Sequence, residues 1–318
     1  MRAMVLGCGS AGSRHATNLV GLGVEVMVAD LDERAAAGLA ARVGASLATR
    51  DDPPRCDLVV VATPTVNHVD DLAWSLAHGA DVFVEKPLAA SWDQLERARA
   101  LGRDHRDRVV MVGCNLRFTE GFASLTANLG AVGRPAALLA DYGWWLPAWR
   151  PAQDYRTGYS ARRSLGGGII LDAIHEIDYA LAVAGPAETV SARGACTEVL
   201  AVDVEDVADI AIRHVGGVYS HLHLDYLRRR YSRSCTIIGT EGELRWDVPG
   251  ARVELITEAG ADPQTLAAGV DRDPNAQYVA EMRHLLAAIE GRAATCNDIA
   301  RAAAAVAVAL TARDGIIV

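Results

Sequence analysis

A chain of 318 residues with 51% hydrophobic and 22% charged residues has the make-up of a folded enzyme, and its length favours two domains over one core. The formal net charge is −9, and no long basic block offsets it, which argues against nucleic acid as a partner. The six cysteines, at 8, 56, 114, 196, 235 and 296, show no CxxC and no metal-type spacing, so thiols in a reducing compartment and no metal site are expected.

The chain starts with "MRAMVLGCGSAG", which lacks the charged leader and cleavage site of a signal peptide. The longest apolar run, "AAAAVAVAL" at 302–310, is too short to span a bilayer and suits a buried helix. A cytoplasmic location without membrane attachment is expected.

Val-rich strands are predicted at 2–6, 24–29, 57–62, 81–85 and 108–113, separated by helix-length segments. Strands apolar on both faces that alternate with helices predict a parallel sheet covered on both sides. Beyond about residue 115 the pattern changes. A helix at 119–130 leads into longer strands at 135–143, 188–199, 206–215, 217–227, 234–239, 243–248 and 251–258, joined by Gly-containing turns. Such a run predicts an open, mainly antiparallel sheet. Helices near 274–290 and 298–312 close the chain. The fold class is therefore α/β, with an N-terminal doubly wound parallel sheet at 1–116 and a second α/β domain with an open, mainly antiparallel sheet at 117–318. The last helices are candidates to pack back on the first domain.

The glycine loop Gly7, Cys8, Gly9, Ser10, Ala11 and Gly12 follows a strand and opens a helix, and Asp30 ends the next strand eighteen residues after Gly12. In that context Gly7 permits the tight turn, Gly9 the approach of a pyrophosphate, and Gly12 close helix–strand packing. Asp30 is placed to accept the adenosine-ribose hydroxyls, which favours NAD over NADP. It competes with a capping role for which Asp32 is better placed, and Arg34 is a candidate to turn toward a phosphate. Thr63 and Pro64 sit at the C-terminal rim of a strand. Asn67 and His68, in the next helix's first turns, read either as cofactor contacts or as helix capping and surface polarity. Glu85, Lys86 and Pro87 end the fifth strand. A Lys there needs partners, and the Pro holds it at the rim.

These stretches, "GCGSAGSRH", "ATPTVNH", "EKPLA", "GCNLRF" and "GGGIILDAIHEID", resemble the glucose–fructose oxidoreductase/inositol dehydrogenase/MocA family in order and over essentially the whole chain. The resemblance implies NAD(P)-dependent oxidoreduction, with Lys86 at the reacting oxygen, His175 as the proton acceptor or donor, and Asn115 near the nicotinamide. It also implies that 1–116 is a dinucleotide-binding Rossmann domain and 117–318 a substrate-binding and oligomerisation domain, with a homo-oligomer, dimer or tetramer, formed through the C-terminal sheet. Many members place the acid four residues before the histidine, whereas here Asp172 is three before His175. "DYRTGYSARRSLGGG" looks like a subgroup found beside sugar-acid and nucleotide-sugar pathways, in which the shorter spacing is usual.

Positions 172, 175 and 178 drift along one side of a helix. The glycines before them are expected to let the loop approach the cofactor, the helix to present Asp172 and His175 to the cleft, and Asp178 to hold the imidazole's other nitrogen. A histidine suits the base that takes the hydroxyl proton, and a lysine the donor to the developing negative charge. In the aromatic and Arg-rich segment 141–163, Trp149, Tyr155, Arg156 and Tyr159 are candidates for contact with a sugar-like substrate, and Trp144 and Trp145 equally for an inter-domain core. Arg228 and Arg230 read as one face of a strand, with Arg233 nearby, meeting either an anion or solvent. The expected activity is oxidation of a secondary alcohol of a sugar, cyclitol or sugar-derived acid, or the reverse reduction. A non-catalytic NAD-binding regulator and a lyase that uses NAD transiently are the alternatives.

Overall fold

The computed structural model describes residues 1–316. The chain divides into two compact units, one formed by Met1–Cys114 with Tyr278–Ala303, the other by Asn115–Gln277 with the chain from Ala304 on.

The first unit begins β1 (Arg2–Leu6), α1 (Ser10–Gly21), β2 (Glu25–Ala29), α2 (Glu33–Val43) and β3 (Ser46–Leu47). It continues through β4 (Leu58–Val61), α3 (His68–Ala77), β5 (Asp81–Val84), α4 (Trp92–Asp104) and β6 (Val110–Val112). The six strands are parallel in the order β3-β2-β1-β4-β5-β6. All four residues of β4 are fully buried, as the continuous Val run requires of a central strand covered on both faces. Strand order reverses between β1 and β4, and that crevice is where open α/β sheets bind ligands. The two-residue β3 has no apolar run to announce it.

The second unit carries α5 (Glu120–Ala127), β7 (Pro135–Gly143), α6 (Ile169–Asp172), α7 (Ile174–Ala184), β8 (Ala187–Ala195), β9 (Val207–His214) and β10 (Tyr219–Asp225). The strands β11 (Ser232–Gly239), β12 (Glu243–Asp247), β13 (Arg252–Ile256) and β14 (Gln264–Ala268) follow. They form an eight-stranded sheet ordered β14-β13-β12-β11-β7-β10-β9-β8. Every pairing is antiparallel except β7 with β10. Burial alternates along β9 and β10: Ala208, Ile210, Ile212, Leu222 and Leu224 face the core, while Asp209, Arg213, Tyr219 and His221 face outward. The helices α5 and α7 lie on this sheet, α7 against β7 and β10. The chain's last helices are α8 (Ala276–Ile289) and α9 (Ile299–Asp314).

Two expectations are corrected. Residues 226–231 are a bend between β10 and β11, not a strand face with Arg228 and Arg230 side by side. Residues 169–184 are not one helix: Ala173, at φ −93° and ψ 32°, separates α6 from α7.

Candidate active site

In the first unit the glycine loop has no spare volume on its inner side. A Cβ at Gly12 would stand 1.8 Å from the Gly7 carbonyl oxygen, and one at Gly7, itself at φ +94°, would stand 2.5 Å from that of Ala62. These contacts bind the loop to the end of β4, so only glycine fits. Gly9 differs, since a Cβ there meets nothing within 4 Å and would project into open space. No side chain caps the N-terminus of α1, which leaves its first N–H groups, on Ser10, Ala11 and Gly12, to an anion. This cradle fits a dinucleotide pyrophosphate.

Asp30 is tied into the same loop. Its Oδ2 accepts the Cys8 N–H at 2.6 Å and its Oδ1 the Asp32 N–H at 2.9 Å. Asp32 is the cap of α2, accepting N–H bonds from Arg34 at 2.9 Å and Ala35 at 3.3 Å. Burial, and then the Asp30 charge, push the Cys8 thiol up to about 11, so it is no nucleophile.

At the rim beyond β4, Thr63 donates to the buried Asp71 at 2.6 Å, and Arg50 closes on the same carboxylate. Pro64 is exposed. The surface reading holds for Asn67, which is exposed, and is corrected for His68, which is buried. Asn67 occupies the cap position of α3 but makes no side-chain capping bond. His68 is 1% exposed, with Nδ1 2.8 Å from the Pro87 carbonyl and Nε2 2.8 Å from that of Thr63. It joins the turns that follow β4 and β5. Burial drives its pKa down against the pull of those carbonyls. At the end of β5, Glu85 accepts from His15 Nε2 at 2.5 Å and from the Lys86 N–H at 3.1 Å. Burial would raise the Glu85 pKa, but the bond and charge of His15, aided by the Lys86 ammonium, hold it below the usual value. The half-buried Lys86 thus has a charged neighbour that lowers the cost of its position. His15, fully buried on α1, was missed by sequence reasoning, and its signal was a histidine three residues after Gly12 on the helix's inward face.

In the second unit, the glycines before α6 are required by contacts within the unit. A Cβ at Gly167 would stand 2.2 Å from the Tyr159 carbonyl, and one at Gly168 (φ +112°) 2.3 Å from Glu205 Oε1. The close approach is to the unit's own 159–162 loop and to a buried carboxyl. Glu205 accepts the Ile170 N–H at 3.3 Å, and burial raises its pKa. Asp172, 6% exposed at the end of α6, accepts hydroxyl bonds from Tyr159, from Ser160 at 2.6 Å and from Tyr226 at 3.1 Å. His175, 8% exposed, lies in the first turn of α7.

The expected imidazole clamp is replaced by another pairing. Both Asp178 oxygens accept from Arg117, at 2.7 and 2.8 Å, while the fully buried Glu176 accepts from Arg233 at 2.8 Å. Asn115 is 7% exposed at the head of a short 3₁₀ turn, Asn115–Phe118. Trp149 stacks on Trp144 (5.7 Å, 26°) and meets Tyr226 edge-on at 5.3 Å, so the Tyr226 ring and hydroxyl link it to Asp172. Trp144 therefore belongs to an aromatic cluster of this unit, and Trp145 lies under the Arg229 guanidinium. Tyr155 and Arg156 are engaged elsewhere: the Tyr155 oxygen accepts the Ala201 N–H at 3.2 Å, and the exposed Arg156 pairs with Asp154 at 2.8 Å. Arg228 is held by Asp141 and, at 3.0 Å, by Asp225. Ser160, Tyr226, Arg117 and Glu205 went unnoticed in the sequence because each lies far from its partner along the chain or inside an unpatterned loop.

The strand order, the glycine cradle and the carboxylate at the end of β2 are those of an NAD-binding Rossmann oxidoreductase. Residues 1–114 match the model of the oxidoreductase family with the NAD-binding Rossmann fold, and residues 127–245 match the GFO/IDH/MocA C-terminal domain. The chain belongs to the GFO/IDH/MocA family. It is 28% identical over 300 residues to the inositol 2-dehydrogenase of Rubrobacter xylanophilus, covering 90% of this chain and 82% of that protein. It is 30% identical over 207 residues to the scyllo-inositol 2-dehydrogenase (NAD(+)) of Bacillus subtilis, covering 61% of this chain and 56% of that one. The solved structure of GenD2 from gentamicin A biosynthesis, in complex with NAD, superposes with a TM-score of 0.82 at 26% identity, over 99% of this chain and 93% of that one. Among the described residues no helix is long and apolar enough to cross a membrane.

Proposed function

We propose that this NAD-dependent oxidoreductase acts on the secondary alcohol of a cyclitol, sugar or sugar-derived acid, with the first unit as dinucleotide domain and the second as substrate domain. The observation that carries the substrate class is the Asp172 cluster, where a buried carboxylate ringed by the hydroxyls of Tyr159, Ser160 and Tyr226 lies beside the aromatic faces of Trp149 and Trp144. Polyols are recognised by such a mixture of acceptor and ring face.

Bound nicotinamide supplies the hydride acceptor. Lys86, with Glu85 at its side, donates to the substrate oxygen as negative charge grows there. His175 takes the hydroxyl proton. Asp172 orients the substrate through the loop it anchors, and Trp149 and Tyr159 line the sugar side. Tyr155 and Arg156, committed to Ala201 and Asp154, shape that loop from outside. In the first unit, Gly7–Gly12 and Asp30 hold the dinucleotide, Thr63, Pro64 and Asn67 border it, and His68 fixes the two turns; Asn115, the first residue of the second unit, faces the nicotinamide. The preferred cofactor is NAD. The outward face of the eight-stranded sheet, with Leu139 45% and Tyr219 59% exposed, serves a dimer or tetramer contact.

The test is a panel of cyclitols, sugars and their acids with NAD, read as NADH absorbance. Lys86→Ala should then lower kcat by roughly 10²-fold or more, and His175→Asn by roughly 10²–10⁴-fold with loss of a pH dependence near neutrality. Turnover that survives either change within a few-fold removes that residue from the chemistry.

A further inference from the structure

The chain leaves the parallel sheet through β6, and the thiol that follows faces a second one. Cys114 Sγ lies 3.8 Å from Cys296 Sγ. Both cysteines are held at their backbone N–H groups. The Cys114 N–H donates to the buried Glu281 at 2.7 Å, and the Cys296 N–H to His284 Nε2 at 3.1 Å. Next to them, the Asn297 amide donates to the Val112 carbonyl at 3.1 Å, and the Val112 N–H donates to the Asn297 carbonyl at 2.9 Å. The two thiols therefore share one braced strand end.

Their surroundings differ in a way that assigns roles. Cys114 is 1% exposed, whereas Cys296 is half-buried. Cys296 lies just ahead of the N-terminus of the 16-residue α9, and the Arg301 guanidinium donates to the carbonyls of Thr295 at 3.1 Å and Cys296 at 3.5 Å. The half-buried Cys296 is the sulfur a small oxidant reaches first, and the buried Cys114 is the one behind it. Elsewhere in the chain, burial raises the pKa of Cys8, Cys56 and Cys235 and keeps those thiols protonated.

We propose that Cys114 and Cys296 form a redox couple that a hydroperoxide closes to a disulfide and a dithiol reopens, with Cys296 attacking and Cys114 resolving. The Cys296 thiolate attacks one peroxide oxygen, the O–O bond breaks, and the leaving hydroxide takes up the thiol's proton as water. The resulting sulfenic acid is attacked by the Cys114 sulfur. The S–O bond breaks, and its oxygen leaves as a second water carrying the Cys114 proton. Two thiols and one hydrogen peroxide thus give one disulfide and two waters, with two electrons passing from sulfur to oxygen. Closure shortens the gap from 3.8 Å to the S–S bond of about 2.05 Å. The Cys114 backbone, tied to Glu281 on one side and joined to Asn115 on the other, follows the sulfur. The effect on the cofactor rests on the reading above that Asn115 faces the nicotinamide.

The experiment uses the full chain, reduced, desalted and titrated with hydrogen peroxide. Denatured thiols should fall from six to four, the intact mass should drop by about 2 Da, and peptide mapping should join 114 to 296. NADH affinity, read by fluorescence, should weaken by roughly three-fold or more and recover with dithiothreitol, a change of about 0.65 kcal/mol. Cys296→Ser should bind NADH like the reduced protein and ignore peroxide. If that variant does not fold, mapping and titration of the native chain decide alone. A mass gain on Cys296 without the cross-link, a cross-link to another cysteine, or a closed disulfide with unchanged NADH affinity overturns the proposal. If the reduced protein oxidises no sugar or cyclitol, the substrate reading fails while these readouts still judge the couple.

Discussion

Replacing Asp30 separates the role we propose for its carboxylate toward the cofactor from the one it performs in the loop. Toward the cofactor, its charge opposes a 2′-phosphate. At about 4 Å and an effective dielectric of about 20 this is roughly 4 kcal/mol, reduced by salt and side-chain movement to about half to two-thirds of that. Toward the protein, it accepts the Cys8 and Asp32 N–H groups at 2.6 and 2.9 Å, bonds worth about 1.5–3 kcal/mol each when the acceptor is charged. Asp30→Asn removes the charge and keeps one acceptor. NADPH affinity should rise about 30-fold or more, and the NADH:NADPH preference, on the order of 10²-fold in the native chain, should fall to a few-fold. Asp30→Ser removes both acceptors and frees the Cys8 turn, so NADH affinity should fall about tenfold and NADPH should gain less than in the Asn variant. Fluorescence titration of both cofactors against both variants measures this without a substrate. Equal native affinity for NADH and NADPH, or no NADPH gain in Asp30→Asn, would refute the charge argument and leave Asp30 as a loop anchor alone.

Gly9→Ala adds a methyl where nothing lies within 4 Å, so the melting temperature should hold within about 2 °C while NADH affinity drops at least tenfold. Gly12→Ala drives a Cβ to 1.8 Å from a backbone oxygen, and calorimetry should show the fold itself destabilised. Tyr159→Phe removes one hydroxyl from Asp172 and should cost kcat/KM about tenfold with NADH affinity unchanged; a larger loss for Asp172→Asn, beyond roughly 10³-fold, would assign Asp172 to proton transfer instead. His223 bridges Asp209 at 2.8 Å and Asp225 at 3.2 Å, and the Asp225 bond, against burial and with Asp209, lifts its pKa to about 9. A raised histidine stabilises fully below its unfolded value near 6.5 and loses that contribution as pH climbs through about 9. With the side chain 30% exposed, the loss should be about 1 kcal/mol, or 2–4 °C in melting temperature, and absent in His223→Gln.

The parallel sheet was legible because a buried strand must be apolar on both faces, and Val runs such as 58–61 have no other use in a chain that also contains helices. The glycine cradle was legible for a related reason, since its steric demand is local and falls on fixed positions. The Asp172 cluster was not. Its donors come from a loop of 3₁₀ turns at 155–165 and from Tyr226, 54 residues on, and no period links them. The break at Ala173 was hidden as well, since Ala is the best helix former and nothing local announces a turn there. The parallel pairing of β7 with β10 escaped for a topological reason: the chain inserts two helices and two strands between them, whereas neighbouring strands in sequence default to hairpins.

The acids around His175 are explained by what a buried helix start requires. Ala173 ends α6, so α7 begins afresh at Ile174 with His175 in its first turn. Glu176 and Asp178 hold that turn from two sides. One is locked by Arg233, which also stacks on Tyr142 at 4.3 Å, the other by the two-pronged grip of Arg117. A buried pair adds little to stability relative to apolar residues of the same size, yet losing one partner costs about 3–5 kcal/mol. Such pairs therefore hold an orientation more than they strengthen a core. Arg117 lies in the turn that begins at Asn115, and Arg233 lies on β11 beside β7. The first turn of α7 is thereby bolted to the segment that follows the Rossmann strands and to the sheet beneath it. The acid at 172 anchors the 159–160 loop and the acid at 178 is bolted by Arg117, while the imidazole at 175 is the proton acceptor we propose; the spacing spans a helix that is interrupted between the first and the second.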